Sequence, residues 1–236
     1  AEMAFNYQDL NLVWQQLVER VMARPTDSAA LMDLGTIKQL TGDRANGLAL
    51  QMQALGLQRV YQQQFSSKQR GLRLLALVAP GDFMANTPLE FLLRGSDVTL
   101  YQLYMLPGQP LPAELPDHDL AIVAVGESDQ NRAVLADIDR LVDVWPRPLL
   151  NAPARIIDLS REALSRNLQS VAGLAVPMTR RVARASLQQI ADGAAAIDRL
   201  IAGVKFPIIA RPTESHAGQG LQKLDAPSDL VTYLAT

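Results

Sequence analysis

Apolar residues change their spacing near residue 70, and that change restricts the chain to a mixed architecture of helices followed by a sheet. From Leu10 to about Gln64 the period is helical. Leu10, Val13, Trp14, Leu17, Val18 and Val21 recur at three- and four-residue intervals, which puts one apolar stripe on a helix ending before Pro25. Thr26, Asp27 and Ser28 then offer an N-cap for a second helix carrying Ala30, Leu31, Leu34, Ile37 and Leu40, which closes at Gly42. Asp43 is placed to cap a third, carrying Ala45, Leu48, Met52 and Leu55.

From Arg70 to Leu150 the pattern is that of strands separated by loops and short helices. Leu72 to Val78 is an apolar run suited to a buried parallel strand, and Val98 to Met105, Leu120 to Val125 and Pro148 to Asn151 follow as further strands. A helix begins at Leu89, and another runs through Val134, Leu135, Ile138, Leu141 and Val142. This order predicts an α/β fold built on an open, mostly parallel, Rossmann-like sheet. In such sheets ligands bind outside the carboxyl ends of the strands. Those ends are the loops Gly81 to Thr87 and Gly126 to Asn131, which present Asp82, Asn86, Thr87, Glu127 and Asp129. Asp82, Asn86, Thr87 and Glu127 together form a substrate rim; singly, Asp and Asn at such positions also serve as helix caps.

Composition narrows the partners. With 22 basic and 24 acidic residues the net charge is −2, which gives no support to nucleic-acid binding. There is no cysteine, so disulfides and thiolate metal sites are excluded, and two histidines do not make a histidine-rich metal site. No apolar run reaches about 18 residues and no charged segment precedes an apolar one at the start, so neither a membrane span nor a leader is expected and the chain reads as cytoplasmic.

The segment FPIIARPTESHAGQGLQKL, Phe206 to Leu224, reads as a β-hairpin with a long glycine tip. Gly218 and Gly220 let the backbone turn N–H groups toward an anion, and Arg211 adds charge beside Ser215 and His216. A mobile surface turn has the same chemistry. Neither G-x-x-x-x-G-K-[ST] nor G-x-G-x-x-G is present, and strand-like residues rather than a helix follow Gly220. A phosphate held here lies under a hairpin flap.

Two resemblances give these segments a common frame. Leu31, Leu34, Gly35, Gly42-Asp43 and Ala54 are spaced as in one tetratricopeptide repeat of about 34 residues, with Gly47 where alanine is usual and Lys38 where an aromatic is usual. Such a region serves either as a structural helical cap or as a peptide-binding groove. From Leu149 onward the chain resembles the ATP-grasp superfamily, in its glutathione synthetase and RimK-type ligase branch. The matching residues are Asn151-Ala152-Pro153, Arg161 on a helix from Ile157 to Leu168, Gly173-Leu174-Ala175-Val176-Pro177-Met178-Thr179, a helix from Leu187 to Ile201, the strand Phe206 to Pro212, and the loop SHAGQG.

The resemblance implies a helical region over residues 1–66, a pre-ATP-grasp domain over 67–150 and a partial ATP-grasp domain over 151–236. It implies an ATP-dependent carboxylate–amine or carboxylate–thiol ligase working through an acylphosphate, with ATP and magnesium as cofactors of the full-length protein. Arg161, Arg211, Ser215, His216, Gly218 and Gly220 would face the nucleotide. Arg161 and Arg211 stand where that family has lysines, and its magnesium-holding Asp, Glu and Asn come later than Thr236, so the chain alone is expected to be inactive. The alternative is a non-catalytic scaffolding protein whose helical region binds a peptide. Partners on these readings are a small-molecule carboxylate or a peptide, a protein docked on the helical region, or a second copy in a homo-oligomer.

Overall fold

The computed structural model describes residues 2–65, 71–216 and 218–235. The expected boundary at 66/67 falls among residues 66–70 and lies outside them. The chain divides into two compact units, Ala1–Ile157 and Asp158–Thr236, so the helical region and the parallel sheet share the first.

A single helical turn, α1 (Glu2–Phe5), precedes α2 (Asn11–Ala23), α3 (Ser28–Leu40) and α4 (Arg44–Leu57). Asp27 caps α3, accepting the Ala30 N–H at 3.0 Å, while the Arg20 guanidinium forks onto the same carboxylate at 3.0 and 3.1 Å. The Ala30 N–H, and after it Arg20, hold this carboxyl below the usual range although burial opposes them. Asp43 differs from expectation: it makes no side-chain cap to α4. Its carboxylate is drawn instead to Lys38 Nζ at 2.9 Å and to the Asn46 side chain at 3.0 Å. Leu17, Ala30, Leu34 and Ile37 form the helical core, with Trp14 packed against it.

Position 47 is glycine for a steric reason. A Cβ there would lie 2.7 Å from the Gly35 carbonyl oxygen and 2.9 Å from the Gln39 nitrogen, and one on Gly35 would lie 2.8 Å from the Gly47 oxygen. The two glycines bring α3 and α4 backbone to backbone.

The helical reading up to Gln64 is corrected. Helix α4 stops at Leu57, and Val60–Gln64 is a strand, β1. After Leu57 no apolar residue continues the helical stripe, and the Val60-Tyr61 pair fits a pleated edge better. Tertiary pairing then decides: β1 runs antiparallel to β3 (Thr99–Tyr104), with Val60 opposite Leu103.

Around β3 the sheet has the order β1-β3-β2-β4-β5, where β2 is Arg73–Val78, β4 is Leu120–Val123 and β5 is Leu149–Leu150. Strands β3, β2, β4 and β5 are mutually parallel, as the apolar runs implied. Helices α5 (Leu89–Leu92), α6 (Arg132–Asp139) and α7 (Pro153–Ile157) complete this unit, with a 3-10 turn at Val142–Val144. Leu75 and Leu77 point to one face, with Val123, Leu135, Ile138 and Ile156. Leu74, Ala76 and Val78 point to the other, with Leu89 and Leu100. Both faces are covered, which is why β2 is continuously apolar from Leu74 to Val78 rather than alternating. The chain crosses from β2 to β3 in one direction and back over to β4 in the other, so the switch point lies between the carboxyl ends of β2 and β4.

The second unit holds α8 (Arg161–Leu168), α9 (Arg184–Ala191), α10 (Ile197–Leu200), the hairpin β6 (Ile208–Ala210) and β7 (Gln222–Leu224), and α11 (Asp229–Ala235). Two expected helices are each broken. The helix expected from Ile157 is interrupted before Ser160, whose hydroxyl caps α8 at the Ala163 N–H, 3.2 Å away. The helix expected from Leu187 to Ile201 breaks at Gly193, which takes φ +74°. Ile190, Ile197, Leu224, Leu230 and Leu234 form this unit's core. Buried Ser165 donates to the Pro177 carbonyl at 2.9 Å and accepts the Thr179 N–H at 3.0 Å, which pins the GLAVPMT segment to α8.

Candidate functional site

In the second unit the hairpin forms as its sequence predicts, Ile208 opposite Leu224 and Ala210 opposite Gln222. Gly218 and Gly220 take φ +78° and +64°, the left-handed backbone that glycine adopts without strain. Gly220 also approaches Pro212 so closely that a Cβ would meet its ring at 2.7 Å. Ala217, in the middle of SHAGQG, lies outside the described residues.

Ser215 organises the base of this flap. It is buried, its hydroxyl donates to the Pro212 carbonyl at 2.8 Å, and it accepts from Arg211 Nε at 3.2 Å. Its carbonyl accepts from a terminal nitrogen of Arg161 at 2.9 Å and from one of Arg211. Two arginines fifty residues apart in sequence thus meet on one carbonyl oxygen. A guanidinium carries five N–H donors, and Ser215 takes two of Arg211's. His216 is half-buried beside them, and its carbonyl accepts the Gln219 N–H at 3.0 Å. The Leu221 N–H is spent on the Gly218 carbonyl at 3.1 Å. The flap therefore offers an anion fewer backbone donors than its composition suggests.

In the first unit the expected rim at the switch point is largely occupied by its own framework. Asn86 turns its carboxamide onto the backbone of Ala79, donating from Nδ2 to the carbonyl at 2.8 Å and accepting the N–H at Oδ1 at 2.7 Å. It continues β2 by side chain where the strand has ended. Asp82 accepts from Nε and a terminal nitrogen of Arg44 at 3.2 and 3.0 Å, and its other oxygen accepts the Met84 N–H at 3.0 Å. These bonds, with Gln51 Oε1 accepting the Gly81 N–H at 2.9 Å, fasten the loop after β2 to α4. The Thr87 N–H donates to the Ala124 carbonyl at 2.7 Å and the Gly126 N–H to that of Ala85 at 2.8 Å, which stitches the two switch-point loops together. Asn131, buried at the start of α6, donates to the carbonyls of Ala85 and Gly126 at 3.0 and 2.9 Å. Sequence reasoning missed it, because nothing marks one loop asparagine over another.

What remains open beside this framework is a cleft of about 540 Å³ between α3, β1, β3 and the loop after β2. Asp82, Asn86 and Thr87 line it. Glu127 lies half-buried on the loop after β4, outside the lining, so the four residues are not brought to one cavity. Tyr61, Asp33, Gln39, Glu90 and Arg94 are lining residues that the sequence did not single out.

Among the described residues no group of three His, Cys, Asp or Glu is placed to hold a metal ion. The two arginines fit a polyphosphate, as charged donors converging from separate elements. Among the described residues no helix is long and apolar enough to cross a membrane. No protein-family model and no curated protein matches this chain.

Proposed function

We propose that this chain carries the nucleotide-facing flap of an ATP-dependent ligase that joins a carboxylate to an amine or thiol. The observation supporting this is the convergence of Arg161 and Arg211 on the Ser215 carbonyl beneath a hairpin whose tip is glycine in left-handed backbone. In the reaction a substrate carboxylate oxygen attacks the terminal phosphorus of ATP, ADP leaves, and the amine or thiol then displaces phosphate from the acylphosphate. The residues of this chain bind and orient. Arg211 grips phosphate oxygens with the guanidinium that Ser215 aims, Arg161 supports the same loop from α8, and Gly218 and Gly220 let the flap approach without a side chain in the way.

The test is calorimetric titration of ATP into the full-length protein and its Arg211→Ala and Arg161→Ala variants. About tenfold weaker binding is expected for each, with Arg211→Lys recovering part of the loss as a point charge without the fork. Failure of the parent protein to bind ATP at millimolar concentration, or binding indifferent to both arginines, refutes the proposal.

A further inference from the structure

Three independent features of the first unit's cleft point to one class of ligand. The first is unmet hydrogen bonding. Gln39 Oε1 and the Tyr61 hydroxyl are the buried side-chain polar atoms that lack a hydrogen-bond partner among the described residues, and both residues line the cleft. An unpaired buried polar atom is costly, so an occupant bearing N–H donors gains from both. Gln39 Oε1 can only accept, and a phenol accepts as well as donates.

The second feature is charge. Asp33, Asp82, Glu90 and Arg94 are the ionisable carboxylates and base in the lining. Arg44 pairs with Asp82 from α4, and the other charged residues of the lining are Asp33, Glu90 and Arg94. Asp33 stands more than a third exposed on the wall formed by α3, yet the surrounding protein withdraws enough water to push its carboxyl above the ordinary range, against the pull of Arg20. Burial pushes the Tyr61 phenol up, against the pull of the nearby Ser28 side chain and with the charge of Asp33 adding to it. Burial, with Tyr61 and Glu90 adding, pushes Tyr104 up to about 12. Burial dominates all three shifts, and the negative charges of Asp33 at Tyr61 and of Glu90 at Tyr104 add to it.

The third feature is the aromatic wall. Tyr61 and Tyr104 meet edge to face with centroids 5.9 Å apart, and Phe83 and Phe91 do so at 6.2 Å. Aromatic faces attract cations and accept apolar bodies, and a cleft of this size lies within the range that takes a small organic ligand.

We infer that this cleft binds a small organic cation, an ammonium or amidinium on an aromatic or apolar body, with its charge at Asp33 and its N–H groups serving Gln39 Oε1 and the Tyr61 hydroxyl. The inference is independent of the ligase proposal, because every lining residue belongs to the first unit.

Phenethylammonium and benzamidinium are the probes, with phenylacetate as the matched anion, titrated by calorimetry and followed by NMR line broadening near neutral pH. Both cations bind with dissociation constants of about a millimolar or below, and phenylacetate binds at least about tenfold more weakly. Asp33→Asn weakens both cations about tenfold. Tyr61→Phe weakens them severalfold while the free protein melts no lower than the parent, since the change removes an unpaired hydroxyl. Arg211→Ala leaves both affinities unchanged. No cation binding at about 10 mM, equal binding of phenylacetate, or an unchanged affinity in Asp33→Asn overturns the inference.

Discussion

Asn86 separates a ligand-facing role from a structural one, and its removal has a calculable cost. Its carboxamide satisfies both the N–H and the carbonyl of Ala79, a residue with no exposed surface. Asn86→Ala leaves that N–H and carbonyl facing a void. Leaving a buried backbone group unpaired costs roughly 1–3 kcal/mol, so two cost about 2–6 kcal/mol as an upper bound. Asn86 is only half-buried and the cleft admits water, which brings the expected loss to about 2–4 kcal/mol. Asn86→Asp distinguishes the bond types: a carboxylate still accepts the Ala79 N–H but turns an oxygen toward the Ala79 carbonyl, so it should rescue little. Both tryptophans, Trp14 and Trp145, lie in the first unit, so fluorescence-monitored urea unfolding reports that unit's stability without the second. A loss below about 0.5 kcal/mol at unchanged m-value would refute the argument and return Asn86 to the groups available to a ligand.

Two further predictions use the same assay. Gly47→Ala gains about 1 kcal/mol of helix propensity, but its Cβ meets backbone atoms of α3 at 2.7 and 2.9 Å, so a net loss of about 1–3 kcal/mol is expected; a net gain would show that the helices can separate at no cost. At the start of β2, Arg73 binds Asp119 through side chain and backbone N–H at 3.1, 2.6 and 2.9 Å and pairs with Asp117 as well. The guanidinium, and then the backbone N–H, lower the Asp119 carboxyl to about 2. A carboxyl depressed in the folded state stabilises it fully above the unfolded value near 4, and that contribution disappears as pH falls from about 4 through 2. The parent should therefore lose more stability across that window than Asp119→Asn does, and parallel acid profiles would contradict the assignment.

How much was legible in the sequence depended on whether a residue's role was local. The parallel strands could be read because burial on both faces leaves an apolar run that needs no partner to be recognised. The cap at Asp27 and the hairpin at Phe206 to Leu224 were legible for a related reason, since the cap's partner is three residues away and the two hairpin strands are joined by one continuous loop. Polar loop residues were not. Asp82 and Asn86 carry the types expected of a substrate rim, yet their partners are Arg44 on α4 and the backbone of Ala79. A side chain already committed to the framework is indistinguishable, by type and spacing, from one held out to a ligand.

The segment read as helix that is a strand also hid the cleft. Val60–Gln64 follows a helix and carries three glutamines, so its short apolar start merges into the preceding period unless the edge of β3 is known to be waiting. As a helix it contributes no floor between α3 and the loop after β2. As β1 it places Tyr61 against Tyr104 and under the negative potential of Asp33. The cleft exists because an antiparallel strand was added to a parallel sheet at the side where the helical hairpin docks, joining α3's polar face to the carboxyl ends of β2 and β3. Disrupting that pairing should act on the cleft before it acts on the fold. Val60→Pro removes an edge N–H and the backbone freedom β1 needs, whereas β2, β3 and β4 keep their mutual ladders. Cation binding is expected to fall severalfold with the unit still folded by fluorescence; intact binding in that variant would mean that Tyr61 and its strand do not form the ligand's floor.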